Sequence, residues 1–207
     1  FNPEARGSII TEMPPSSEYS IKGISSIDAV SLLRIHGGGM VGIAGIAMRI
    51  FNALSRKEIN IILITQASSE HSICIAVRPE AALLAKREIE DEFSLEMYAH
   101  QIEEVLIEDD LSIVAVVGEN MRRFPGIAGK VFAALGESGV NVTAIAQGSS
   151  ELNISLVVKR SDEAKALNVI HSAFFLWEHK TANLFIVGTG LVGSALVSQI
   201  RCQREIL

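Results

Sequence analysis

The side chains best suited to chemistry in this sequence occur in a phrase that is written twice. Residues 64–77 read ITQASSEHSICIAV and residues 145–158 read IAQGSSELNISLVV. Gln66 and Gln147 carry amides, which donate and accept hydrogen bonds together. That is chemistry for recognising a small polar molecule, not for breaking a bond. Asn60 and Asn141 precede them at equal spacing. The segments GGMVGIAG and ENMRRFPG, rich in Gly or ending in Pro-Gly, can turn backbone N–H groups toward a carboxylate. Structural duties compete for the same residues. Asn at a strand entrance serves as a turn residue, and Gln-x-Ser-Ser-Glu can be a hairpin device whose hydroxyls satisfy turn amides. Ser68, Ser69 and Glu70 are read as structural.

Catalytic and metal chemistry find little to work with. His36, His71, His100, His171 and His179 show no metal-ligand spacing. Cys74 and Cys202 lie far apart, which suits reduced thiols. There is no phosphate loop, and no pair of carboxylates stands beside a nucleophile.

The elements that must position the two amides are themselves duplicated. Shifted by 81 positions, residues 31–77 lie over 112–158 without a gap, and seventeen of the 47 pairs are identical. Such a repeat decides the architecture. SLLRIHG and SIVAVVG are β-rich runs ending in Gly. Ile46, Ile50 and Leu54 recur at helical spacing, as do Ile127, Val131 and Leu135. NIILITQ and NVTAIAQ are expected strands, paired with SICIAV and NISLVV across the Ser-Ser-Glu turn. Pro79 opens a second helix at the favoured first position, and Ser161 is expected to cap its counterpart. The run from Glu103 to Ile107 closes copy one, with Glu108-Asp109-Asp110 as a turn. Copy one thus spells β-α-β-β-α-β, the split ferredoxin-like unit. Copy two lacks its own closing strand, and YSIKGIS (19–25) is the spare run that completes it. The class is α+β, two such modules packed together and interleaved in the chain.

Charge and hydropathy narrow the partners. The formal net charge of −6 argues against nucleic acid, which needs clustered Lys and Arg. The acidic stretches EIEDEF and IEDD are expected to be solvated faces and turns. Mean hydropathy is +0.33 and 20% of residues are charged, so surface is expected to be buried against a partner. No apolar run reaches the roughly 18 residues of a membrane span.

The repeat resembles tandem ACT domains. RIHGGGMVGIAGIAMRIF, ITQASSEHSI, MRRFPGIAGKVFAAL and IAQGSSELN together resemble the regulatory region of an aspartokinase, most closely of the bifunctional aspartokinase–homoserine dehydrogenase family. FNPEARGSII is similar to the end of that family's kinase domain, and TEMPPSSEYS to the linker after it. At the other end, NLFIVGTGLVGSALVSQI holds Gly188-x-Gly190-x-x-Gly193 between an expected strand (Leu184–Val187) and helix, the start of a dinucleotide-binding turn. Only 14 residues follow Gly193, and the acidic ribose-binding residue is missing. The resemblance therefore implies an excised piece: residues 1–18 as kinase end and linker, 19–110 as the first module, 111–178 as the second, and 179–207 as the truncated first β-α of a Rossmann domain.

The resemblance also implies a function. An amino-acid effector is expected where modules meet, between the loop after the first strand and the start of the second strand. Those loops are Gly39–Gly45 and Asn120–Gly126. Gln66 and Gln147 become the effector-sensing pair, with Asn60, Asn141, Gly42, Ile43, Ala44, Phe124, Pro125 and Gly126 around them. L-threonine is the expected effector for a fused enzyme and lysine for a single-function kinase. The fragment itself is expected to be non-catalytic and without cofactor. ATP with Mg, and NADP at Gly188, Gly190 and Gly193, would belong to the parent. Assembly at least to a dimer is expected, in the cytoplasm or, for a plant protein, the plastid. The alternative is the oligomerisation module of a lysine-sensitive aspartokinase, without effector binding of its own. The triple glycine Gly37-Gly38-Gly39 is expected to be flexible, against a more rigid, charged second loop.

Overall fold

The computed structural model describes residues 21–40, 43–66, 72–119, 121, 124–148, 152–175 and 190–202. It divides into two compact units, Phe1–Leu176 and Trp177–Leu207. The expected kinase end, linker and Leu184–Val187 strand lie outside the described residues.

In the first unit, β1 (Gly23–His36) leads to α1 (Ile46–Ser55), β2 (Leu63–Gln66), β3 (Ser72–Val77), α2 (Pro79–Glu92) and the short α3 (Ser94–Tyr98). Then come β4 (Val105–Val117), α4 (Ile127–Glu137), β5 (Val142–Gln147), β6 (Asn153–Lys159) and α5 (Glu163–Phe175). The α+β class and the two ferredoxin-like modules are as the repeat implies. Instead of two sheets, however, there is one antiparallel sheet in the order β2-β3-β1-β4-β6-β5.

Two long strands make that possible. Ile27 at the start of β1 pairs with Ile113 in the second module's part of β4, while Ile35 pairs with Val105 in the first module's part. Residues 108–110, expected as a turn, therefore run on inside β4. The register slips once on each strand, between Ile27 and Val30 on β1 and between Glu108 and Leu111 on β4. Ala29 (φ 50°) and Asp110 (φ 57°) take the left-handed conformation at these bulges, and they stand 81 residues apart. A short Asp side chain tolerates that conformation, so the turn chemistry read from Asp109-Asp110 is spent on a bulge.

Bulges increase twist, and here the sheet curls until β2 and β5 touch. Alternation along β1 separates the resulting cores. Leu33 and Ile35 face α1 and α2 with Ile50, Leu54, Ile75 and Phe93. Val114 and Val116 face α4 and α5 with Val131, Leu135, Leu156, Ile170 and Ile21. Val30, Leu32, Leu63, Leu111 and Ile113 close a third cluster on the helix-free face between the modules.

The helix starts differ from one another. Pro79 sits in the first turn of α2, as its fixed φ favours. Ser161 does not cap α5. It lies inside a 3₁₀ turn, Arg160–Asp162, that delivers Glu163 to two serines. Glu163 accepts from Ser26 at 2.6 Å and from the fully buried Ser112 at 2.7 Å. Its equivalent Ser31, also fully buried, donates to Asp109. These bonds tie both long strands at the junction and hold the Glu163 carboxyl below its usual range, the Ser26 bond foremost.

Candidate functional site

Each module presents the same construction after its first strand. A 3₁₀ turn, Gly38–Met40, follows β1 and buries Met40; Met121 is buried in the same place in the second module. Gly45 and Gly126 then take φ near +90°, a backbone state that only glycine adopts without strain. They lead into α1 and α4 with no side-chain cap on either helix. The first-turn N–H groups of each helix thus have no intrahelical acceptor, and the helix dipole makes that end an anion site.

In the first module this helix start opens on a cavity of about 140 Å³, lined by Met40, Ile43, Gly45, Ile46, Ala47, Gln66 and Ile73. Gln66 pairs in register with Ile73, a member of the α1-facing core, so its side chain stands on the helix-bearing face. Gln147 pairs with Ile154 and holds the equivalent place before α4. Neither amide makes a side-chain hydrogen bond with another described residue. Both also border a wider cleft of about 730 Å³ between the edges of β2 and β5, with Thr65, Asn153 and Ser155 among its walls.

The structure therefore brings Gln66, Ile43 and the α1 start together, and sets Gln147 across one cleft from Gln66. It does not bring in the asparagines. Asn60 and Asn141 are exposed and lie six residues upstream of the glutamines, roughly 20 Å along an extended chain. They stand at the opposite ends of their strands and border neither cavity. Ala44, Phe124 and Pro125 are exposed beside the helix starts. Gly42 and the two Ser-Ser-Glu turns lie outside the described residues.

Three features escape a reading by spacing. Gly37 and Gly39 are sites of close approach, and the loop they form is not slack. A Cβ on Gly37 would stand 2.3 Å from the Gln101 carbonyl oxygen, and one on Gly39 2.7 Å from the Gln101 Cα. Gly39 N–H also donates to that carbonyl at 2.9 Å.

The second feature is Arg49, which anchors α1. It donates to the Glu92 carboxylate at 3.1 Å, to the Glu92 carbonyl at 2.7 Å and to Glu96, with its guanidinium 4.3 Å over the Phe93 ring. These partners hold Glu96, through Arg49, and Glu92, through Arg56 first and then Arg49, below the usual carboxylate range. EIEDEF is thus a ribbon of ion pairs, with Glu88 on Lys57 as well. Only the charged Arg49 inside an apolar helical run signals it in the sequence.

Third, Cys74 is free and half-buried, and burial pushes its thiol up, away from reactivity. No group of three metal-ligating side chains exists among the described residues.

In the second unit, α6 (Leu191–Cys202) follows Gly190, whose carbonyl accepts from Ser194. Gly188 is outside the described residues. Among the described residues of this unit, Gly190, Gly193 and α6 by themselves supply neither an acidic acceptor for ribose nor a strand beside the turn.

Fold and site together define a pair of ferredoxin-like recognition modules sharing one sheet. The ACT-domain profile matches residues 33–93 and 114–174, and the chain belongs to the ACT-domain family. It is 42% identical over its whole length to the bifunctional aspartokinase/homoserine dehydrogenase of Haemophilus influenzae, covering 25% of that protein. With the chloroplastic bifunctional aspartokinase/homoserine dehydrogenase 2 of Arabidopsis thaliana it shares 38% identity, again over its whole length and 23% of the relative. The chain thus spans about a quarter of these relatives. Among solved structures, Escherichia coli aspartokinase III in complex with lysine and aspartate is similar with a TM-score of 0.61 and 24% identity, over 80% of this chain and 35% of that one. No helix among the described residues is long and apolar enough to cross a membrane.

Proposed function

We propose that this chain is the amino-acid-sensing regulatory region of an aspartokinase fused to a homoserine dehydrogenase, and that it binds L-threonine for feedback inhibition. The observation that carries this is the Gln66 amide, which makes no side-chain hydrogen bond with another described residue and faces the uncapped start of α1 across a cavity of about 140 Å³. The helix N–H groups take the carboxylate, and the amide takes the ammonium or the hydroxyl. Small-molecule pockets usually run to about 300–1,000 Å³, so the space suits a short side chain better than that of lysine. A ligand acts here by binding two arrangements of the modules unequally.

Assembly belongs to the same proposal. Ile43 and Phe124 are both 47% exposed, Ile64 and Ile145 are 44% and 45% exposed, and each pair is related by the 81-residue shift. Two equal apolar patches beside the outermost strands, β2 and β5, suit docking onto a second copy. ATP with Mg, and NADP, are assigned to catalytic domains outside this chain. The compartment is the cytoplasm, or the plastid as in the Arabidopsis relative.

The test is a thermal-shift titration with L-threonine, L-lysine and L-methionine. A ligand at about 100 times its Kd stabilises by roughly 2.7 kcal/mol, which moves a melt by several degrees. A shift with threonine alone is expected. A shift with lysine alone assigns the effector to lysine, and no shift with any of them leaves assembly as the function.

A further inference from the structure

We infer that residues 92–102 set the width of the cavity beside Gln66, with Glu96 as the positioning residue that ties two of its walls to one template. This rests on the sensor reading above and names what fixes the size of ligand that the first site accepts.

Three parts of the first module enclose that cavity. Gln66 and Ile73 come from β2 and β3, which are paired in register, so the sheet itself places them. Met40 and Ile43 belong to the loop after β1, and Gly45, Ile46 and Ala47 to the start of α1. The loop and the helix start take no part in the strand ladder. Their distance from Gln66 must be fixed by contacts elsewhere.

Both are bonded to the same short segment. On the helix side, Arg49 donates to the Glu96 carboxylate with Nη1 and, at 3.4 Å, with Nη2. Arg49 lies one turn after Ile46, and its own N–H donates to the Gly45 carbonyl at 3.0 Å, so it moves with the helix start. On the loop side, the Glu96 carbonyl accepts from Gln101 N–H at 2.8 Å and from Ile102 N–H at 3.3 Å. His100 before them takes φ 55°, the left-handed state that closes a helix end in this way. The Gln101 carbonyl then accepts from Gly39 N–H at 2.9 Å, and Met40 is the next residue. One connected path thus runs from α1, through the side chain and the carbonyl of Glu96, to the loop. None of Arg49, Glu96 and Gln101 lines the cavity, so each acts through the walls that it holds. Walls held in advance lower the ordering cost of binding and keep the space short.

Titration calorimetry with L-threonine and L-lysine on the full chain tests this. Glu96→Ala cuts the path and removes no cavity-lining side chain. Threonine affinity is expected to fall about three- to tenfold while lysine binding does not weaken, so that the preference narrows by the same factor. Glu96→Gln keeps an oxygen that accepts from Arg49 and is expected to recover most of the loss. The control is Lys57→Met, which breaks the ion pair to Glu88 on α2, away from the cavity. Its threonine affinity is expected to stay within about twofold of wild type. Unchanged threonine affinity in Glu96→Ala, an equal loss for both amino acids, or an equal loss in Lys57→Met overturns the inference.

Wild type that does not bind threonine overturns the threonine reading instead, and amide hydrogen exchange without ligand then decides the role of Glu96. Glu96→Ala is expected to speed exchange at the Gly39 and Arg49 amides about two- to tenfold, one on each tied wall, and Lys57→Met to leave both unchanged. Unchanged exchange at either amide in Glu96→Ala overturns the shared template.

Discussion

Gln66 and Gly39 show how differently neighbouring positions in one site respond to a methyl group or its loss. Gln66→Ala removes an amide that has no role in the described hydrogen bonding of the fold, so stability should stay within about 0.5 kcal/mol of wild type. Threonine affinity should fall about tenfold, the value of one or two hydrogen bonds; titration calorimetry on the folded variant checks both. Gly39→Ala does the reverse. Its new carbon would meet Gln101 at 2.3 Å and 2.7 Å, which forces backbone to move. We expect a loss of about 1–3 kcal/mol in urea unfolding, while Gly38→Ala, with nothing within 4 Å, changes little.

The acid side of the stability curve also belongs to single residues. Glu92, Glu96 and Glu163 all titrate below their ordinary value in the folded chain. Each therefore contributes stability that is fully present above the unfolded carboxyl pKa of about 4.3, and that is lost as pH falls through the lower folded value. Melting temperature should drop steeply below about pH 4 in wild type. The drop should be shallower in Glu163→Gln, which cannot be protonated.

At the scale of elements, α1 is the part to watch, because its start borders the cavity beside Gln66 and its middle is clamped. Arg49→Met keeps the apolar stem and removes the ties to Glu92 and Glu96. An unfolding loss of about 1–2 kcal/mol is expected from the charged hydrogen bonds and the ring contact together. The bulges offer a change of opposite sign. Ala29 is held at φ 50°, which costs an L-residue about 1–2 kcal/mol. Ala29→Gly should therefore stabilise by about 0.5–1 kcal/mol once glycine's extra entropy is subtracted.

These elements also mark what the sequence could and could not say. Helical spacing located α1 and α4, and alternation located β2, β3, β5 and β6, because each buries one regular face. Asp109-Asp110 was opaque because a turn and a strand bulge ask for the same residue type. Ser161 misled because a helix cap and a 3₁₀ entry share their chemistry. The glycine loop was misread as slack because the residue that crowds it, Gln101, is distant in sequence. Asn60 and Asn141 were drawn in by equal spacing in the repeat, which places them alike in each module without placing them near the glutamines.

At the scale of the molecule, the two copies are equal in plan and unequal in connection. Their apolar patches around Ile43 and Phe124 should bring chains together in a concentration-dependent way. Sedimentation of Phe124→Ser against Ile43→Ser would show whether one patch or both are used, with a monomer expected from at least one of them.

The long shared strands have a consequence for synthesis. The first half of β1, Gly23–Ile27, has its partner at Ile113–Val117. At roughly 5–20 residues per second a ribosome takes about 5–20 s to make the intervening chain. During that interval this part of β1 lacks its partner on β4. The first module likewise lacks its final strand until Val105–Leu111 has emerged. The nascent chain is thus committed to waiting, and a pause in translation within β4 would leave both halves of the sheet unfinished at once.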